Sequence, residues 1–149
     1  MRDILGMPNS CLGASLGPYG IWTALFKYDT FSVTYESGIN DIPIFDACIE
    51  VFAHNKSVKV NYDSPYIKGL PVTLIIREKI EGRPRSESSG FQERIVRRTY
   101  EDAYTLEYEA LYECVIEQKT PKTTAADARK DLDLFAMIMK AGESSYNIQ

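Results

Sequence analysis

The sequence predicts an α+β fold: an open, predominantly antiparallel sheet of about six or seven strands with two carboxy-terminal helices on one face. Three observations predict it. Between residues 44 and 79 apolar residues recur with a period of two, the mark of strands with one buried face. Short polar or Gly/Pro-bearing breaks separate these runs, as antiparallel neighbours require. After Asp102 the period changes to the three-four spacing of helices.

Arg2 to Gly6 is long enough for a single helical turn, which Pro8 ends. Ser10 to Leu16 reads as a weak strand of small residues, followed by the turn Gly17-Pro18-Tyr19-Gly20. Ile21 to Tyr28, IWTALFKY, is apolar almost throughout and reads as a strand buried on both faces or lining a cavity. In 31–36, Phe31, Val33 and Tyr35 alternate with Ser32, Thr34 and Glu36, and 37–43 forms a loop.

The centre is the hairpin 44–62. Phe45, Ala47, Ile49, Val51 and Ala53 share one side, and His54-Asn55-Lys56 breaks the pattern. Val58, Val60 and Tyr62 then resume it. A break at 63–69 leads to a strand over 72–79. EGRPRSESSG reads as a hairpin tip, and 91–100 as the return strand. Asp102 caps a helix with the stripe Tyr104, Tyr108, Leu111 and Val115. Lys119-Thr120-Pro121 separates it from a second helix. Thr124 and Asp127 resemble a capping box there, and Ala128, Leu132, Phe135 and Met139 form its stripe. Met137 and Met139 read as core, and Gly142 as the stop.

The length of 149 residues fits one domain, 1–149, with a proper core. A net charge of −4 argues against a nucleic-acid partner. The cluster Arg83, Arg85, Arg94, Arg97 and Arg98 is interrupted by Glu87 and Glu93 and reads as a solvated hairpin. Cys11, Cys48 and Cys114 are too widely spaced for a metal motif and read as small buried hydrophobes. No stretch of about 18 apolar residues supports a membrane span, and no apolar signal core opens the chain. The expected setting is cytoplasmic.

The run FDACIEVFAHNKSVKVNYDSPYIKGLPVTLIIRE, Phe45 to Glu78, resembles the carboxy-terminal domain of the glucose–fructose oxidoreductase/inositol dehydrogenase (Gfo/Idh/MocA) family, particularly fungal members. The likeness continues through RTYEDAYTLEYEALYECV and KTPKTTAADARKDLDLFAMIMKAG. The resemblance implies a sheet that mediates subunit contacts, hence a homodimer through the sheet. Family members add a Rossmann domain with a Gly-rich loop, a Glu-Lys-Pro lysine and a catalytic histidine. Gly13, Gly17 and Gly20 do not form G-x-G-x-x-G, there is no Glu-Lys-Pro, and His54 sits in a hairpin turn. The opening MRDILGMP is similar to the tail of the helix after the family's catalytic histidine, so the chain is expected to begin just past that site. No cofactor is therefore expected; no metal is expected either, because one histidine and three widely spaced cysteines supply no ligand set.

The second sheet face is expected to present Thr34, Glu36, Asp46, Cys48, Glu50, Lys59, Asn61, Thr73 and Arg77. Asp46, Glu50 and Arg77 are the candidate catalytic groups, with Asp46 and Glu50 an acid–base pair if burial separates them. Ten tyrosines and one tryptophan suit a pocket for an apolar, oxygenated ligand. Trp22, Phe26, Tyr35, Tyr62 and Tyr66 are its candidate walls. With a single histidine, neither a Ser-His-Asp nor a Cys-His arrangement is assembled. Chemistry that needs only shape, desolvation and a few hydrogen bonds remains: a cofactor-independent, Diels–Alderase-like cyclase acting on an apolar natural-product intermediate. The alternative is a non-catalytic dimerising or accessory domain, or a fragment of an NAD(P)-dependent oxidoreductase.

Overall fold

A computed structural model describes residues 1–17, 20–38, 45–64, 66–67, 69–80, 90–97 and 102–146. The fold is α+β, with antiparallel strands β1 (Ser10–Leu16), β2 (Ile21–Lys27), β3 (Ser32–Gly38), β4 (Ala47–Ala53), β5 (Lys56–Tyr62), β6 (Thr73–Lys79) and β7 (Phe91–Arg97). A turn of helix, α1 (Arg2–Leu5), precedes them, and two longer helices, α2 (Ala103–Ile116) and α3 (Ala125–Tyr146), follow. The strand and helix content matches the sequence reading. The single sheet does not: β1-β2-β3 form one sheet and β4-β5-β6-β7 another. The chain divides into two compact units, residues 1–43 with 120–149 and residues 44–119. Of the two longer helices, α3 thus falls in the unit of the three-stranded sheet and α2 in that of the four-stranded one. The tip at 81–89, including Arg83 and Arg85, and residues 98–101 lie outside the described residues.

In the first unit, β2 pairs with β1 and β3, with Ala24 opposite Ala14 and Tyr35 and Phe26 opposite Cys11 and Val33. Ala24, Phe26 and Tyr28 are buried with Ile138 of α3. Ile21, Leu25 and Lys27 on the other face are exposed. IWTALFKY is therefore buried on one face only; its second apolar set, Ile21 and Leu25, lies outward. The stripe of α3 is also corrected. Leu132, Phe135 and Met139 are exposed, whereas Leu134 and Ile138 face the core, in line with Asp127 and Asp131. Two carboxylates at the start of the buried stripe hide it from a hydrophobic pattern. Their partner is Arg2, whose Nη1 and Nη2 donate to Asp127 at 2.8 Å and whose Nε donates to Asp131 Oδ1 at 2.7 Å.

Gly142 is buried and does not stop α3, which runs on to Tyr146. A Cβ there would lie 3.0 Å from Leu16 Cγ and Cδ1, so glycine sets how closely α3 approaches β1. Both amino-terminal caps hold: the Thr105 and Asp127 amides donate to Asp102 Oδ1 and Thr124 Oγ1 at 2.9 and 3.1 Å. The Asp127 carboxylate, which a capping box would turn back to Thr124, accepts from Arg2 instead.

In the second unit, β4 to β7 form a meander. One face carries Ile49, Val60, Leu74 and Val96 in a row, beside the row Val51, Val58, Ile76 and Arg94. Of the described apolar side chains in this unit only Ile76 is buried. Every residue of α2 except Cys114 is exposed, including the whole Tyr104, Tyr108, Leu111, Val115 stripe. The stripe is exposed together with the rest of the helix, and nothing described in the chain buries it. No described helix is long and apolar enough to cross a membrane.

Candidate functional site

The polar face of the four-stranded sheet gathers most of the residues expected on it. Cys48, Asn61, Thr73 and Arg97 form one row, Glu50, Lys59, Ile75 and Ile95 the next, and Phe52, Ser57, Arg77 and Glu93 a third. This register follows from the two-residue turn at His54-Asn55, because a slip of one residue would send Ile49, Val51, Val58 and Val60 to this face. Thr34 and Glu36 belong to the other sheet.

The candidate catalytic groups are all described. Asp46 precedes β4 and is exposed; Glu50 is exposed and faces Lys59 across the ladder. Arg77 donates from Nε to Glu93 Oε2 at 2.6 Å. Glu50 and Arg77 share a face, but β5 lies between their strands, which separates the two backbones by roughly 10 Å. Asp46 and Glu50 are both exposed, so the burial expected of the pair is absent. What the face offers is one cross-strand ion pair, Arg77 with Glu93, beside the polar residues of the neighbouring rows.

The candidate walls fall into two groups. Trp22, Phe26 and Tyr35 share the covered face of β2 and β3, where the Phe26 and Tyr35 rings lie 6.4 Å apart. Phe26 is 0% exposed and belongs to the core of its unit, which leaves it no surface to offer a ligand. Trp22 and Tyr35 are half-buried beside it. In the other unit, Tyr62 ends β5 opposite Ala47, while Tyr66 is 79% exposed and lies 6.4 Å from Tyr104 on α2. Desolvation, then the neighbouring Tyr66, pushes the Tyr104 hydroxyl up from its ordinary value.

At the turn end of the sheet a shallow cleft of about 260 Å³ is lined by His54, Lys56, Arg77, Glu78, Lys79 and Phe91, among others. Lys56 Nζ lies 2.6 Å from Glu78 Oε1 and holds that carboxyl below the usual range. Glu78 and Glu93 thus neutralise two of the cleft's cations. No group of three or more His, Cys, Asp or Glu converges among the described residues. Cys11 and Cys114 are half-buried and Cys48 is exposed, so none is the buried hydrophobe expected.

Comparison with family models, curated proteins and solved structures finds no match. The fold and the side chains carry the functional argument.

Sequence reasoning missed the Tyr66–Tyr104 pair and the ion pairs Lys56–Glu78 and Arg77–Glu93. Each joins residues from different strands or elements, and only the register reveals them.

Proposed function

We propose that this chain is an assembly domain that works as a homodimer, its second unit closing against a second copy. The observation that carries the reading is α2. It is apolar around most of its circumference, and a helix of that kind is ordinarily buried. Here Tyr108, Leu111, Tyr112, Val115 and Ile116 are all exposed. Apolar surface of this extent in a protein in water marks an interaction site, and closed two-fold pairing is the commonest way for a chain to cover it. The resemblance of Phe45 to Glu78 to the Gfo/Idh/MocA carboxy-terminal domain, whose sheet mediates subunit contacts, supports the same reading. Replacing Leu111 and Val115 together by Glu tests it by light scattering. Association is lost with helix content preserved if the reading holds; an unchanged mass sinks it.

A second reading, a cofactor-independent cyclase for an apolar, oxygenated intermediate, is favoured by the Tyr66–Tyr104 pair. Two phenol rings on an exposed surface offer apolar area together with hydroxyls. Such a surface accelerates a cyclisation by holding one reactive conformer. Its test is turnover of a linear polyene substrate by wild type and by Tyr66→Ala: equal rates remove the pair from any catalytic role.

A further inference from the structure

The second unit has two sheet edges among its described strands, and they differ in kind. β7, FQERIVR, carries Glu93, Arg94 and Arg97, charges that discourage another strand from pairing. β4, ACIEVFA, has no Pro, no Lys and one charge, Glu50, and its Phe52 is 77% exposed. An unprotected apolar edge is a template for a further strand.

The backbone of β4 is poised for this. The His54-Asn55 turn makes Ala53 and Lys56 the closing hydrogen-bonded pair of the hairpin. Alternation along the ladder then turns the amides of Ala47, Ile49 and Val51 toward β5, and those of Cys48, Glu50 and Phe52 to the open edge. The Lys79 N–H donating to the Asn55 carbonyl at 2.9 Å fits the same alternation on the other side of β5.

We infer that β4 pairs antiparallel with β4 of a second copy, joining two four-stranded sheets into one, with Ile49 opposite its own symmetry mate. This rests on the dimer reading above and adds to the α2 surface a second contact, at the strand edge. A two-fold axis perpendicular to the sheet maps each face onto itself, so residues of like parity must oppose one another. Centring on Glu50 sets two carboxylates directly opposite, which is unfavourable. Centring on Val51 runs Ala47 against Asn55 of the turn and shortens the ladder. Centring on Ile49 sets Ala47 against Val51 and Phe45 against Ala53 on the apolar face, and Cys48 against Glu50 on the other. That register joins apolar to apolar and opposes no like charges.

Disulfide trapping tests it. In a Cys48→Ser background, Ile49→Cys should give a covalent dimer on mild oxidation, because the two Cβ atoms face each other at the axis; Val51→Cys should give at least several-fold less. As a second variant, Glu50→Pro deletes an outward N–H while leaving the bonds to β5, so it should dissociate the dimer with strand content retained in circular dichroism. A native dimer that Ile49→Cys fails to trap and Glu50→Pro fails to dissociate overturns the edge while leaving the dimer standing. A native chain that sediments as a monomer overturns both.

Discussion

Arg2 shows how much one side chain can organise without any signal in a hydrophobic pattern. Its guanidinium meets Asp127 and Asp131 in two forks, satisfying the polar start of an otherwise apolar stripe on α3. Hydrogen bonds from Arg2 are the largest cause holding both carboxyls below their ordinary value, 3.8. A lowered folded-state pKa adds stability that is fully present above the unfolded value and is lost as pH falls through the folded one. Arg2→Met should therefore lower Tm near neutral pH, with the gap to wild type closing as pH drops below about 3.8. A gap independent of pH would contradict the ion pair. Phe26 is the opposite case, an aromatic that the sequence places in a pocket wall and the structure places at 0% exposure. Phe26→Ala should cost about 3–5 kcal/mol in urea unfolding. A loss below about 1 kcal/mol, the cost of many surface changes, would return it to a wall.

At the scale of elements, strands were legible and buried faces were not always. The alternation over 44–62 predicts the β4–β5 hairpin because half-buried strands leave a period of two in the sequence. IWTALFKY was ambiguous because Ile21 and Leu25 are apolar yet outward. On α3 two stripes compete: Leu132, Phe135 and Met139 are more apolar in sequence, but the covered one holds Leu134 and Ile138 with the two Arg2-bound carboxylates. Gly142 looked like a stop and instead permits close packing. Gly142→Ala gains roughly 1 kcal/mol in helix propensity, and crowding Leu16 costs about 1–3 kcal/mol. Leu16 packs against the core and has little room to yield, so the net effect should be a destabilisation of about 1 kcal/mol, read from the shift in denaturation midpoint. A stabilised variant would show that the side chain moves freely.

For the whole molecule, the division of the strands into two sheets was not legible, because local periodicity does not say which distant strands pair. The candidate site was legible to the same depth. The sequence places Glu50, Lys59, Asn61, Thr73 and Arg77 on one face, and the sheet does the same. It could not show that Arg77 is taken by Glu93, or that β4 forms an edge. The apolar side chains left outside, on α2 and along β4, outnumber those buried in the second unit, where Ile76 stands alone among the described residues. That imbalance is the ground for the proposed pairing. The direct measurement is sedimentation equilibrium of the unmodified chain over a range of micromolar concentrations. Pairing predicts a weight-average mass that rises to twice 16.9 kDa and holds there; a mass that stays at 16.9 kDa throughout contradicts it.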